Sequence, residues 1–403
     1  MTGGFEFDSL LSEEARHRAA PGLMVSSSGA PKNVVADLLV GQPAIEALPL
    51  SAIAETAQTY LPKNPEALLY GRRQGSVEIV DTVRKKLRIF EGLSVDRDQI
   101  IITNGSGQAI DLVLRTFANR DQVIVLDEAS FGALFVKRVS ERGIHVRWDS
   151  EGPRPDELDA LFSTERPAIF YTIPTFQNPM GSTISTRRRH EILEICHRHH
   201  VPILEDDAYY ELHYDGDLPP SLFELDGGTG LVIRAGTFSK ILGAGIRLGW
   251  IAASAPLADR ILPLKPDGGT SPFASSIAAE FMNKRMEEQI QHLRTLYRKR
   301  RDVMLDALES HVTEHATWIR PNGGFFVWLQ LHRPELVGDV VERCQRMGVM
   351  VRSGSVFRID SNDLGGIRLA FSHAPQDAIQ AGIKILGTAL MDSETGKPYD
   401  HSL

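Results

Sequence analysis

Gly236-Thr237-Phe238-Ser239-Lys240-Ile241-Leu242-Gly243-Ala244-Gly245-Ile246-Arg247-Leu248-Gly249-Trp250 sets a lysine just after a β-rich run, ringed by small hydroxyl residues and glycine, with an arginine seven residues on. Such a setting suits a Schiff-base nucleophile beside a phosphate. The run before it, Leu231–Ala235, is one of seven: Gln99–Thr103, Gln122–Leu126, His145–Trp148, Ala168–Ile173, Val201–Glu205, Leu231–Ala235 and Arg247–Ala252. Most are apolar throughout rather than alternating, as strands covered on both faces by helices should be. Helical stretches separate them, so the pattern predicts a mostly parallel, seven-stranded αβα sheet. The last run follows its predecessor too closely for a helical crossover and is expected to be antiparallel.

A chain of 403 residues exceeds what one core usually serves, so two domains are expected. A helix is predicted over Pro49–Tyr60. Met286, Ile290, Leu293, Tyr297, Met304 and Leu308 mark one face of a long helix leading to a smaller α+β domain. Arg320-Pro321-Asn322-Gly323-Gly324-Phe325-Phe326-Val327-Trp328 opens that domain with a turn and a strand. The division is therefore an N-terminal arm over 1–48 that contributes to the small domain, a large domain over 49–285 and a small domain over 286–403.

Ile101-Ile102-Thr103-Asn104-Gly105-Ser106-Gly107-Gln108-Ala109-Ile110 reads as a strand, a glycine turn and a helix start, where backbone N–H groups and the helix dipole attract a phosphate. A dinucleotide site is the competing reading, with Asp127 placed to take a ribose. Ile110 stands where that fingerprint needs Gly or Ala, however, and the reading leaves Lys240 unexplained. Asp206 ends the run Val201–Glu205, so its carboxylate points into the crevice at the edge of the sheet. Side chains alternate along a strand, so Asp207 should face elsewhere and cap the following turn. Arg368, in the apolar Gly366-Ile367-Arg368-Leu369-Ala370-Phe371-Ser372, needs an anionic partner, either a ligand carboxylate or a structural ion pair.

Two more segments lie upstream of Lys240: Pro174-Thr175-Phe176-Gln177-Asn178-Pro179-Met180-Gly181 and Glu205-Asp206-Asp207-Ala208-Tyr209. Together with the Lys240 and Arg368 segments, and in this order, they resemble the fold-type I, class I/II aminotransferases, which use pyridoxal 5′-phosphate (PLP). The resemblance runs from about residue 35 to 390. It implies that Lys240 carries the cofactor and shuttles the substrate proton, that Asp206 faces the pyridine nitrogen, and that Asn178 and Tyr209 face the phenolic oxygen. Ser106, Gly107, Gln108, Thr237, Ser239 and Arg247 would hold the phosphate. Phe131 would stack on the ring, Arg368 would bind the substrate carboxylate, and Gly41 would lie close to the substrate. Tyr70 would cross a homodimer interface to the partner's phosphate, so that two subunits share each site.

The implied reaction is transamination of an L-α-amino acid with a 2-oxo acid. Elimination, oxidation or cyclisation is the alternative, since the same carbanion machinery serves all four. The chain has no proline beside Phe131, and Ser76-Val77-Glu78-Ile79-Val80-Asp81 replaces the family's usual Leu-Arg stretch after Gly75, which points towards specialised biosynthesis. An aminotransferase-like regulator would need a DNA-binding module, and residues 1–34 are too short for a winged helix and lack a basic cluster.

Composition excludes other classes. The net charge is 44 − 52 = −8, which disfavours nucleic acid, and the fractions of 42% hydrophobic and 24% charged residues are ordinary for a soluble globule. The basic runs Arg187–His190 and Arg298–Arg301 lie in helical patterns and read as solvated faces. Cys196 and Cys344 are the only cysteines, too few for a disulfide framework, and no Cys/His cluster has metal-ligand spacing. No apolar run reaches transmembrane length and the N-terminus lacks a secretory pattern, so a cytoplasmic protein without a membrane partner is expected.

Overall fold

The seven runs become one sheet because β-branched residues fill its interior strands. In the computed structural model, which describes residues 33–398 apart from 361 and 363, strands such as Ile100–Thr103 and Val123–Asp127 are buried along their whole length. The strand order is Ile100–Thr103, Gly249–Ala252, Val232–Thr237, Ile203–Asp207, Ile169–Thr172, Val123–Asp127 and Arg142–Val146. Gly249–Ala252 runs antiparallel to both neighbours, and the other pairings are parallel. The expected topology is thus the observed one. Only the third run is misplaced: the strand is Arg142–Val146 rather than His145–Trp148. It is the sheet's edge strand, exposed at Arg142, so its first residues carry no apolar signal.

A second, antiparallel sheet orders Ala316–Thr317, Phe326–Leu331, Gly366–Ala370 and Arg352–Ser353. The N-terminal strand Ala36–Asp37 pairs in parallel with Val349–Met350, and Ala370 N–H donates to Leu38 O at 2.7 Å. Most of the arm expected over 1–48, residues 1–32, lies outside the described residues. The predicted helices are Leu50–Tyr60 and a 40-residue helix, Pro272–His311, whose buried face includes all six residues named from the sequence. This helix runs unbroken through residue 285, and its first turns bury the small residues Ser275, Ser276, Ala278 and Ala279 alongside Ile277, Phe281 and Met282. Among the described residues no helix is long and apolar enough to cross a membrane.

Four arginines correct the reading of the basic runs as solvated faces. Arg188, Arg189, Arg300 and Arg301 are at most 4% exposed. Each was drawn inward by acceptors that only the fold supplies. Arg189 donates to Ile184 O, Pro174 O, Pro220 O and Thr175 Oγ1. Arg301 pairs with Asp215 at 2.5 Å and lies over the Tyr214 ring.

The deepest charge cluster lies under the strand Val232–Thr237. Arg234 has no exposure and bridges Glu91 and Asp207, its guanidinium packed on the rings of Tyr210 and Trp250. Burial pushes the Glu91 carboxyl up to about 7, with Asp207 adding to the effect and Arg234 and Lys86 opposing it. Removing one partner of such a network leaves buried charge uncompensated, at a cost of about 3–5 kcal/mol. Arg234→Leu should lower unfolding free energy by that amount, read as a drop in the urea midpoint at unchanged slope; a loss below about 1 kcal/mol would show that the network is not held ionised.

Candidate active site

The parallel strands bring their C-terminal ends to one edge, and every segment singled out from the sequence except that of Tyr70 converges there or on the facing small sheet. Lys240 follows the strand Val232–Thr237 by three residues. Its Nζ donates to Gly41 O at 2.8 Å and lies 5.8 Å from the Tyr209 ring and 5.7 Å from the Phe325 ring. Burial above all, with the nearby cations Arg368 and Arg247, lowers its pKa to about 8 against the opposing effect of Asp206. At neutral pH the free, nucleophilic amine is therefore far more populated than in an ordinary lysine, although the ammonium form still predominates.

Asp206 is 4% exposed on the same face. Its Oδ2 accepts the Tyr171 hydroxyl, and its Oδ1 has no hydrogen-bond partner among the described residues. Burial above all pushes its carboxyl up to about 7, with Tyr171 and Lys240 opposing the rise and Asp207 adding to it. Asp207 points the other way, taking Arg234 at 2.7 Å and capping the turn through the N–H of Tyr210 at 3.1 Å. Strand alternation thus separates two adjacent acids into two environments.

Arg368 enters from the second sheet and is 5% exposed. It donates to Asn178 Oδ1 at 2.9 Å and Leu39 O at 2.6 Å, while Nε is unpartnered. The rings of Phe326 and Phe357 lie 4.3 and 4.9 Å from its Cζ. Among the described residues no carboxylate lies within ion-pair distance of it, so a structural ion pair does not account for its burial. Gly41 fits only as glycine, since a Cβ there would come 2.4 Å from Phe326 Cζ.

The glycine turn is built for a close approach. Gly105 caps the helix Ser106–Phe117 at φ +80°, and a Cβ on it would lie 2.5 Å from Arg247 Nη2. Arg247 donates to Ala244 O and Asn104 O, both at 3.2 Å. Ser106, Gly107 and Gln108 form the first helical turn. The Gln108 side chain is committed to Asn104 N–H at 2.8 Å and Asp267 at 2.9 Å, which leaves its backbone N–H for a ligand. Thr237 Oγ1 and Ser239 Oγ are 2.9 Å apart. Phe131 donates its N–H to Asn178 O at 3.0 Å, and Tyr209 is buried against Phe325 and Phe326. Tyr70 stands apart: it is 98% exposed, beside the exposed Leu68 and Leu69, with its ring near Gly268. Sequence reasoning did not single out Tyr171, Phe325, Phe326 or Asp267. Their apolar or loop settings read as core or turn, and only the approach of separate segments gives them partners.

The family model for aminotransferase class I and II matches residues 34–386. The chain belongs to that family. It is 32% identical over 371 residues to aromatic-amino-acid aminotransferase 1 of Thermococcus litoralis, covering 89% of this chain and 88% of that one. It is 30% identical over 359 residues to the uncharacterized HTH-type transcriptional regulator YdfD of Bacillus subtilis, covering 87% and 73%. The crystal structure of LysN, the α-aminoadipate aminotransferase of Thermus thermophilus complexed with N-(5′-phosphopyridoxyl)-L-leucine, superposes with a TM-score of 0.89 at 27% identity over 97% of this chain and 100% of that one.

The cofactor of this aminotransferase is PLP, and the site fits it on its own atoms. The buried, unpartnered Oδ1 of Asp206 is an acceptor awaiting a cationic N–H donor, and the depressed Lys240 amine stands within its field. The pKa ordering gives a direct check on apoprotein. Removing the cation in Arg368→Leu should move the Lys240 midpoint above about 8, and removing the anion in Asp206→Asn should move it below. Competitive labelling of Lys240 with acetic anhydride across pH, read by mass spectrometry, measures both. Shifts of the same sign would contradict the arrangement.

Proposed function

We propose that this aminotransferase carries its cofactor on Lys240 and assembles each site from two copies of the chain. The observation that supports the assignment is the set of three mutually dependent groups on one edge: a lysine with lowered pKa, an aspartate with one buried oxygen free, and a buried arginine without a carboxylate. Bound there, PLP supplies a carbonyl for the Lys240 amine and a ring that accepts the electron pair left when the substrate Cα loses its proton.

The chain's residues supply the rest. Asp206 Oδ1 accepts from the ring nitrogen and keeps it protonated, while Tyr171 fixes the other oxygen. The free Lys240 amine would take the proton from the substrate Cα and would hold it for return, a task suited to a pKa near working pH. Arg368 holds the substrate α-carboxylate with its free donors, and Asn178, already bonded to Arg368, faces the phenolic oxygen together with Tyr209. The N–H groups of Ser106, Gly107 and Gln108, with Thr237, Ser239 and Arg247, surround the phosphate. Phe131 covers one face of the ring, and Gly41 leaves room for the substrate. Its substrates in this reading are an L-α-amino acid and a 2-oxo acid. The two cysteines, both buried free thiols, suit a cytoplasmic setting.

Borohydride treatment of the yellow holoprotein should fix a pyridoxyl group on the Lys240 peptide. In a separate assay on unreduced holoprotein, an L-amino acid without acceptor should release one equivalent of oxo acid per site and stop. An adduct on another lysine would remove Lys240 from its role, and repeated turnover without acceptor would assign elimination-type chemistry instead.

The paired assembly rests on Tyr70, Leu68 and Leu69, exposed by 98, 72 and 67%, and on Phe273 and Leu264, exposed by 44 and 46%. Large apolar side chains grouped this way mark an interface. Tyr70 would there reach the partner's phosphate. Mixing inactive Tyr70→Ala with inactive Lys240→Ala protein should restore activity through hybrids holding one undamaged site. No recovery after proven subunit exchange would remove Tyr70 from the partner's site.

A further inference from the structure

The second sheet carries a cation that the reading above does not use. Arg352 lies directly opposite Arg368 in the antiparallel pair of Arg352–Ser353 with Gly366–Ala370. Directly opposed residues share a face, with Cβ atoms about 4.5–5.5 Å apart, and like charges so placed repel. Both Nε–H groups are buried without an acceptor. Among the described residues no carboxylate comes within ion-pair distance of either guanidinium. Asp37 acts on Arg352 from beyond ion-pair distance, and its Oδ1 accepts from the N–H groups of Leu39 and Val40 at 3.0 and 3.2 Å.

One segment runs past all three cations. Asp37 acts on Arg352, Leu39 O accepts from Arg368 and Gly41 O accepts from Lys240. The N-terminal segment Asp37–Gly41 therefore forms a wall along a row of positive groups: Lys240, then Arg368, then Arg352. The row holds one more cation than an amine and a single α-carboxylate require. Two facing guanidiniums with spare donors form a receptor for two anionic groups on one molecule.

We infer that Arg352 is a specificity-determining residue that binds the distal carboxylate of an acidic amino acid or 2-oxo acid. The inference rests on the reading that Arg368 takes the α-carboxylate. A dicarboxylic substrate would satisfy both arginines together and relieve their repulsion, whereas a neutral substrate would leave Arg352 unpaired.

PLP-loaded wild-type, Arg352→Gln, Arg352→Lys and Arg368→Leu proteins would be compared with L-glutamate and its neutral analogue L-norvaline. Binding of glutarate and butyrate would be followed by calorimetry as a readout independent of turnover. Wild-type protein should favour L-glutamate in kcat/KM. Arg352→Gln should lower kcat/KM for L-glutamate and glutarate affinity by about 30-fold or more, the effect of truncating one partner of a buried charge pair. It should leave L-norvaline and butyrate within about threefold of wild type, as expected where no such pair is lost, and Arg352→Lys should recover part of the loss. Equal losses for both amino acids would overturn the inference, because Arg352 would then be structural or an α-carboxylate ligand. An unchanged L-glutamate value, or a wild-type enzyme indifferent to the side-chain carboxylate, would overturn it as well. Arg368→Leu separates the two layers: loss of both amino acids upholds the α-carboxylate reading, and unchanged L-norvaline kinetics would overturn that reading and this inference with it.

Discussion

Two adjacent carboxylates on one strand need opposite treatment, and the molecule is arranged around meeting both needs. Asp207 is paired inside the fold with Arg234, itself balanced by Glu91, while Asp206, raised chiefly by burial and further by Asp207, faces the opposite side of the strand. Asp206 is held by a single hydroxyl and keeps an oxygen in reserve. Burial pushes Asp206 towards the neutral form. Arg234, on the far face of the sheet, supplies the cation that pairs with Asp207.

The facing sheet solves a related problem in the other sign. Arg368 is deep among aromatic rings with oxygen acceptors but no carboxylate. Its charge adds to burial in depressing the Lys240 amine, so one buried cation helps to prepare the nucleophile. The bond from Arg368 to Asn178 also ties the second sheet to the loop after the strand Ile169–Thr172. The positions of the two sheets and the electrostatics of the site are thereby one arrangement, with the carbonyls of Leu39 and Gly41 completing it from a third segment.

Local chemistry made much of this legible. Buried strands written as continuous apolar runs announced a sheet covered on both faces, and a run too close to its predecessor announced the antiparallel strand. Period-two alternation was enough to turn Asp207 away from Asp206. The edge strand Arg142–Val146 escaped because half-exposed strands need not be apolar. The inward arginines 188, 189, 300 and 301 escaped because a guanidinium reads as surface until carbonyls and carboxylates from distant segments surround it.

The sequence by itself determined the succession of strands along the chain, the antiparallel direction of Gly249–Ala252 and the set of residue types from which a PLP site is made, since these depend on local periodicity and on the chemistry of single side chains. Tertiary structure alone decided that Tyr171 steadies Asp206, that Gly41 receives the Lys240 amine, and that Arg352 stands opposite Arg368. Each of these joins segments distant in the chain, and a hydrogen bond or a repulsion between such segments is fixed by strand register and sheet packing, which no local pattern encodes.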